Sequence, residues 1–166
     1  MKNQLAAEIL STKEALLKAL NSFTHQNINT IPFEGSWTGG QVGEHVLKSV
    51  SGVLETITGP VKAADRDPEQ NVQPLADAFL NFEIKFQSPD FIIPSDEPKD
   101  KSYLVSALTE AFEGIRKVTE SADLTLICTG FEMPVMGYMS RSEFINFTVF
   151  HTKRHIHQLN NILKYV

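Results

Sequence analysis

The chain is poor in several things, and each shortage excludes a class of protein. Its 166 residues include one cysteine, Cys128, so no intrachain disulfide framework exists, as fits a reducing compartment. No apolar run approaches the roughly 18 residues that a membrane helix needs. The opening Met1-Lys2-Asn3-Gln4 leads into a patterned helix and not into an apolar signal core. Charge of neither sign dominates: fifteen Lys and Arg against twenty Asp and Glu give −5. The basic residues are scattered, which leaves no electrostatic footprint for nucleic acid. What remains is 42% hydrophobic, too rich for a disordered chain. The expectation is one soluble, cytoplasmic domain spanning residues 1–166, with neither nucleic acid nor membrane as a partner.

The dominant period is helical. Leu5, Ile9, Leu16, Leu20 and Phe23 recur at three- to seven-residue steps in the first segment. A second helix is predicted from Thr38, where Thr38 and Gln41 have capping-box spacing, through Val42, Val46, Val50, Val53 and Ile57 to a stop at Gly59-Pro60. A third carries the stripe Leu104, Leu108, Ala111, Phe112, Ile115 and Val118. The last begins near Ser140, where Ser140 and Glu143 repeat the capping-box spacing, and runs almost to Val166. Four long helices make an all-α four-helix bundle.

Two connections exceed what such a bundle needs. The stretch from Pro60 to Lys101 is too long for a structureless loop. Leu75, Phe79, Phe82 and Phe86 predict an extra short helix within it, after Pro74 at a first-turn position. Pro89 to Pro94 should then be extended, because proline biases its predecessor away from helix. The stretch Leu124 to Gly137 reads either as a short extended segment over Leu124–Cys128 or as a loop folded over one end of the bundle. Connections of this kind often form lids and pocket walls.

Five histidines carry the chemical signal: His25, His45, His151, His155 and His157. His151 and His155 stand four apart in the last helix, so both imidazoles leave the same face, within reach of one divalent ion. Chance produces such a pair readily, and capping, surface or core roles are the alternative reading. The face favours the ligand reading, since Phe147, Gln158 and Ile162 share it, and two buried imidazoles need partners. His45 shares a strip of the second helix with Gln41, Ser49 and Gly52; it is either a third ligand or an exposed residue on a polar face. His157 should face elsewhere, at the surface or an interface, and His25 should meet the carbonyls ending the first helix.

Other chemistries lack their residues. His151-Thr152-Lys153-Arg154-His155 has zincin histidine spacing without the glutamate base. The run Gly35-Ser36-Trp37-Thr38-Gly39-Gly40 lacks the lysine and preceding strand of a phosphate loop, and there is no Gly-x-Ser-x-Gly elbow. A three-histidine site with open positions suits a metal that activates water or a thiol. A fourth ligand would close it into a structural site, and Cys128 stays open for that role.

Trp37 through Val46, with a histidine eight residues after the tryptophan, resembles the opening of the second helix in one known family. His151-Thr152-Lys153-Arg154-His155-Ile156-His157-Gln158-Leu159 resembles its closing helix. Phe86 to Pro94 and Gly137 to Glu143 are similar to further segments, so the resemblance covers essentially the whole chain. The family is that of the DinB/YfiT-like metalloenzymes, the DNA-damage-inducible proteins of bacilli. The resemblance implies an up-down-down-up bundle, a homodimer, and nickel or zinc on His45, His151 and His155. It also implies a small-molecule substrate and a thiol S-transferase-like activity, in which a metal-activated thiolate, from a thiol such as bacillithiol, attacks a small electrophile. A hydrolase acting through metal-activated water, and a non-catalytic metal- or ligand-binding stress protein, are the alternatives. Glu44, Tyr138 and Arg154 are candidate catalytic helpers, each equally a surface or packing residue. Trp37 should pack the start of the second helix against the bundle.

Overall fold

The computed structural model describes residues 2–166. Five helices follow one another: α1 (Lys2–Asn21), α2 (Gly39–Thr58), α3 (Val72–Phe79), α4 (Lys101–Ser121) and α5 (Arg141–Ile162). Two two-residue strands, β1 (Val61–Lys62) and β2 (Ile127–Cys128), pair antiparallel with Val61 opposite Cys128. The four long helices form the bundle and α3 packs on α5.

Local chemistry starts each long helix after the first. At the head of α2 the Thr38 hydroxyl accepts the Gln41 N–H (3.1 Å), and the Gln41 amide oxygen accepts the Thr38 N–H (3.0 Å). Ser140 and Glu143 make the same reciprocal pair at α5. Asp100 caps α4 by accepting the Tyr103 N–H at 3.0 Å. Each cap answers an N–H that the helix itself leaves free, worth about 1 kcal/mol.

The contacts fix the chain directions. Lys2 at the start of α1 donates to the Ala122 carbonyl beyond the end of α4, and Lys101 at the start of α4 donates to the Phe23 carbonyl beyond α1. Those two helices are therefore antiparallel. Gly43 faces Leu104 and Gly114 faces Leu54, so α2 and α4 run parallel. A Cβ on Gly114 would stand 2.6 Å from Leu54 Cδ2, so glycine there allows the close approach. Arg141 Nε reaches the Ile57 carbonyl while His151 meets His45, which sets α5 antiparallel to α2. The bundle is up-down-down-up. Leu16, Leu20, Leu108, Phe112, Ile115 and Phe144 fill its interior, each at most 1% exposed.

Three expectations for the connections need correction. Helix α3 covers Val72–Phe79, not Leu75 to Phe86. Beyond it Arg154 of α5 donates to the carbonyls of Phe79, Asn81 and Ile84, taking acceptors that further helix would have used. Phe86 still stacks on Phe79 (5.1 Å, 18°), and Phe82 stacks on His157 (4.3 Å, 10°), so the aromatic spacing reflects a strap lying along α5. Between Pro89 and Pro94, Asp90–Ile92 form a 3-10 turn, while Ile93, immediately before Pro94, is extended (φ −63°, ψ 130°). Only the residue preceding a proline is constrained, which leaves the middle free to turn. Of Leu124 to Cys128 only Ile127–Cys128 is strand, held on one side by β1 and bridged to Ser140.

Candidate metal centre

Helix α2 supplies His45 and α5 supplies His151 and His155, one turn apart. The three are 1%, 5% and 8% exposed. Their Nε2 atoms converge: His45 to His151 is 3.1 Å and His155 to His151 is 3.0 Å. Among the described residues these three imidazoles form the one group of histidine, cysteine and carboxylate side chains able to hold a metal ion, with all ligand atoms within 4.8 Å of one another.

The opposite ring nitrogens decide which atoms face the centre. His45 Nδ1 lies 2.9 Å from the Ile92 carbonyl, which can only accept, so the proton sits on Nδ1 and Nε2 presents a lone pair. His155 Nδ1 donates to the Gln158 amide oxygen at 2.8 Å with the same result. His151 Nδ1 is buried without a hydrogen-bond partner. Its ring is held instead by packing: Phe147 lies nearly parallel to it (5.1 Å, 22°), and Phe79 stands edge-on at 5.8 Å. Trp37 covers His45 at 5.1 Å, so it walls the centre as well as packing beside the head of α2.

Burial keeps the rings neutral. It pushes His45 below the usual imidazole range, with Lys48 adding to the effect against the opposing hydrogen bond to Ile92. It holds His151 well below that range, helped by repulsion from His155 and His45. His155 falls to about 3, again by burial first, then by His45, while the bond to Gln158 resists. Neutral imidazole is the form that ligates, so all three rings are in the form that can bind a metal at neutral pH, with the lone pairs of His45 and His155 turned to the centre by their Nδ1 hydrogen bonds.

The residues fit a divalent transition metal. Ligands at 2.0–2.1 Å from one ion, separated by about 90–110°, stand about 2.9–3.4 Å apart, and both close Nε2 pairs fall in that range. An all-imidazole set suits zinc, nickel, copper and iron alike.

The other sequence candidates lie around this centre. Glu44 faces the connection after α3: it accepts the Ser95 N–H at 3.0 Å and pairs with Lys48 and Lys99. Burial raises its pKa, but the bonds from Lys99, Lys48 and Ser95 outweigh that and hold it below the usual carboxylate value. Arg154 is spent on the three strap carbonyls, with its guanidinium 4.9 Å from the Phe86 ring centroid. Tyr138 is 45% exposed, and its carbonyl accepts from Arg66. Cys128 is not in the metal-competent group; its backbone N–H bonds Met139, and burial pushes its thiol up to about 11. His25 is exposed and makes no ring hydrogen bond among the described residues; Lys101 caps the Phe23 carbonyl instead. His157 is exposed against Phe82, and Gly52 is exposed at the end of the polar strip, with open space where a Cβ would sit. Sequence reasoning missed the Ile92 carbonyl and the Phe79 wall. The orienting role of Gln158 had a signal, its position three residues after His155 on one helical face.

Fold and centre together define an all-α bundle with a three-histidine site at the α2–α5 contact. A family model described as DinB superfamily matches residues 8–159, and the chain belongs to that superfamily. No curated protein and no solved structure matches it significantly. Among the described residues no helix is long and apolar enough to cross a membrane.

Proposed function

We propose that this protein is a divalent-metal-dependent enzyme, with nickel or zinc as its metal, that joins a low-molecular-weight thiol such as bacillithiol to a small electrophile. The observation that carries the metal-dependent part is the convergence of three neutral imidazoles through Nε2, with neither carboxylate nor thiol in the group. The thiol and the transfer chemistry rest on the family resemblance. His45, His151 and His155 would hold the ion. Bound by neutral ligands alone, such an ion keeps its full charge and makes a thiol or water that reaches it more acidic. The chain's remaining contribution is positional. Ile92 and Gln158 keep the Nδ1 protons pointing away from the centre, and Trp37, Phe79 and Phe147 shield the imidazoles from water. Arg154 and Lys48 fasten the strap beside them through backbone carbonyls.

The test is metal content by elemental analysis of tag-free protein, beside His45→Ala and His151→Ala variants. About one equivalent of a divalent transition metal in the wild type, lost in both variants, is the expected result. Turnover of a model electrophile should then require thiol and metal together. Metal binding without thiol-dependent turnover refutes the transferase. Absence of metal after reconstitution, with both variants as stable as the parent, makes the chain a binding module.

A further inference from the structure

The three imidazoles are oriented by three different devices, and only one is a side-chain hydrogen bond. His45 is held by a backbone carbonyl, that of Ile92. His151 is held by aromatic packing and has no acceptor at Nδ1. His155 is held by the amide oxygen of Gln158, 2.8 Å from its Nδ1. We propose that Gln158 is a positioning residue: its amide oxygen keeps the His155 proton on Nδ1 and so turns a bare Nε2 toward His45 and His151.

The physical reason lies in the crowding of the centre. A neutral imidazole has one N–H and one lone pair, and the tautomer follows the hydrogen bond that either nitrogen makes. Without an acceptor at Nδ1, nothing would hold the His155 proton there, and Nε2, 3.0 Å from His151 Nε2, would compete for it. The Nε2 tautomer blocks ligation. The amide oxygen removes the competition, because it offers an acceptor on the far side of the ring. Helical geometry supplies the reach, since residues three apart share a face. Gln158 is half-buried, so its hydrogen bond to His155 is partly shielded from water that would otherwise replace it.

The inference deepens the metal-centre reading and relies on it for the affinity readout, so the test has a second arm free of metal. Gln158→Leu removes the acceptor at similar size, and Gln158→Glu retains one. Histidine-selective ¹H–¹⁵N spectra of the metal-free protein report each ring's tautomer. The expected result is His155 protonated at Nδ1 in the wild type and in Gln158→Glu, with Nε2 protonation appearing in Gln158→Leu. Zinc competition against a chromophoric chelator should show binding weaker by about 10–100-fold in Gln158→Leu and restored in Gln158→Glu. Unchanged His155 tautomer in Gln158→Leu overturns the inference, and so does wild-type zinc affinity in that variant. If the wild type binds no zinc, the metal-centre reading fails on its own, and the ring spectra still decide whether Gln158 sets the tautomer. Equal melting temperatures of the metal-free variants separate positioning from a general loss of structure.

Discussion

Helix α5 carries two buried polar clusters, eight residues apart, built on opposite principles. At its head Glu143 is fully buried and every acceptor is used. One oxygen takes Arg66 Nη1 (2.8 Å) and the Asn71 N–H (2.9 Å); the other takes Arg66 Nη2 (2.6 Å) and the Ser140 N–H (2.8 Å). Two turns on, three imidazoles point their Nε2 atoms at one another. The first cluster is closed and ties the connection after β1 to the bundle. The second converges donor atoms on a common centre. A buried charge kept for stability answers its own lone pairs, whereas lone pairs that converge are suited to something that is not protein.

The comparison can be broken most directly at the closed end. Glu143→Ala strips Arg66 of its partner and leaves the Ser140 and Asn71 amides without their acceptor, so urea denaturation should show a loss of about 3–5 kcal/mol. A loss below about 1 kcal/mol would mean that the head of α5 is not a structural lock. At the other end, His45→Ala should weaken metal binding by at least about 100-fold, as removing one of three ligands demands. Its metal-stripped stability should fall less than that of Glu143→Ala. A His45 variant that is the less stable of the two would erase the distinction between the clusters.

The strap beside the histidine centre sharpens the contrast. Arg154→Met removes the donor from three backbone carbonyls, and hydrogen bonds to a charged group are worth about 1.5–3 kcal/mol each where they are buried. Arg154 is only partly buried, so the total should sit near the lower figure. Limited proteolysis should cut within residues 80–95 faster than in the parent while the four long helices stay protected. An unchanged cleavage pattern would show that the strap is held by its aromatic stacking alone.

A last prediction concerns Cys128, fully buried in β2. Its thiol is raised from 9.0 to about 11 by burial, so at pH 8 the folded protein holds roughly 100-fold less thiolate than an open chain. Alkylation by iodoacetamide should be slower by about that factor in native protein than in urea. The unfolded chain loses this proton first. The contribution to stability is therefore intact below pH 9.0 and is lost as pH rises towards about 11. Rapid native alkylation at pH 8 would place the thiol outside the core.

Much of the scaffold was legible in one dimension because its signals are local. The Thr38–Gln41 and Ser140–Glu143 boxes each join residues three apart, and both form as the spacing predicts. The stop at Gly59-Pro60 and the His151–His155 pair are local in the same sense. The strap was misread where a distant donor intervenes: Phe82 and Phe86 keep helical spacing, but Arg154 takes carbonyls some 70 residues away. Glu143 could be read as a cap, but its partner Arg66, 77 residues earlier, could not.

The sequence by itself determined the helices, their caps and the common face of His151 and His155, because backbone geometry sets those over three or four residues. Tertiary structure decided that His45, 106 residues from His151, joins them, and that a carbonyl at Ile92 holds its ring. It also decided which nitrogen each ring turns inward. That choice depends on what stands behind the ring, and packing alone brings those groups together.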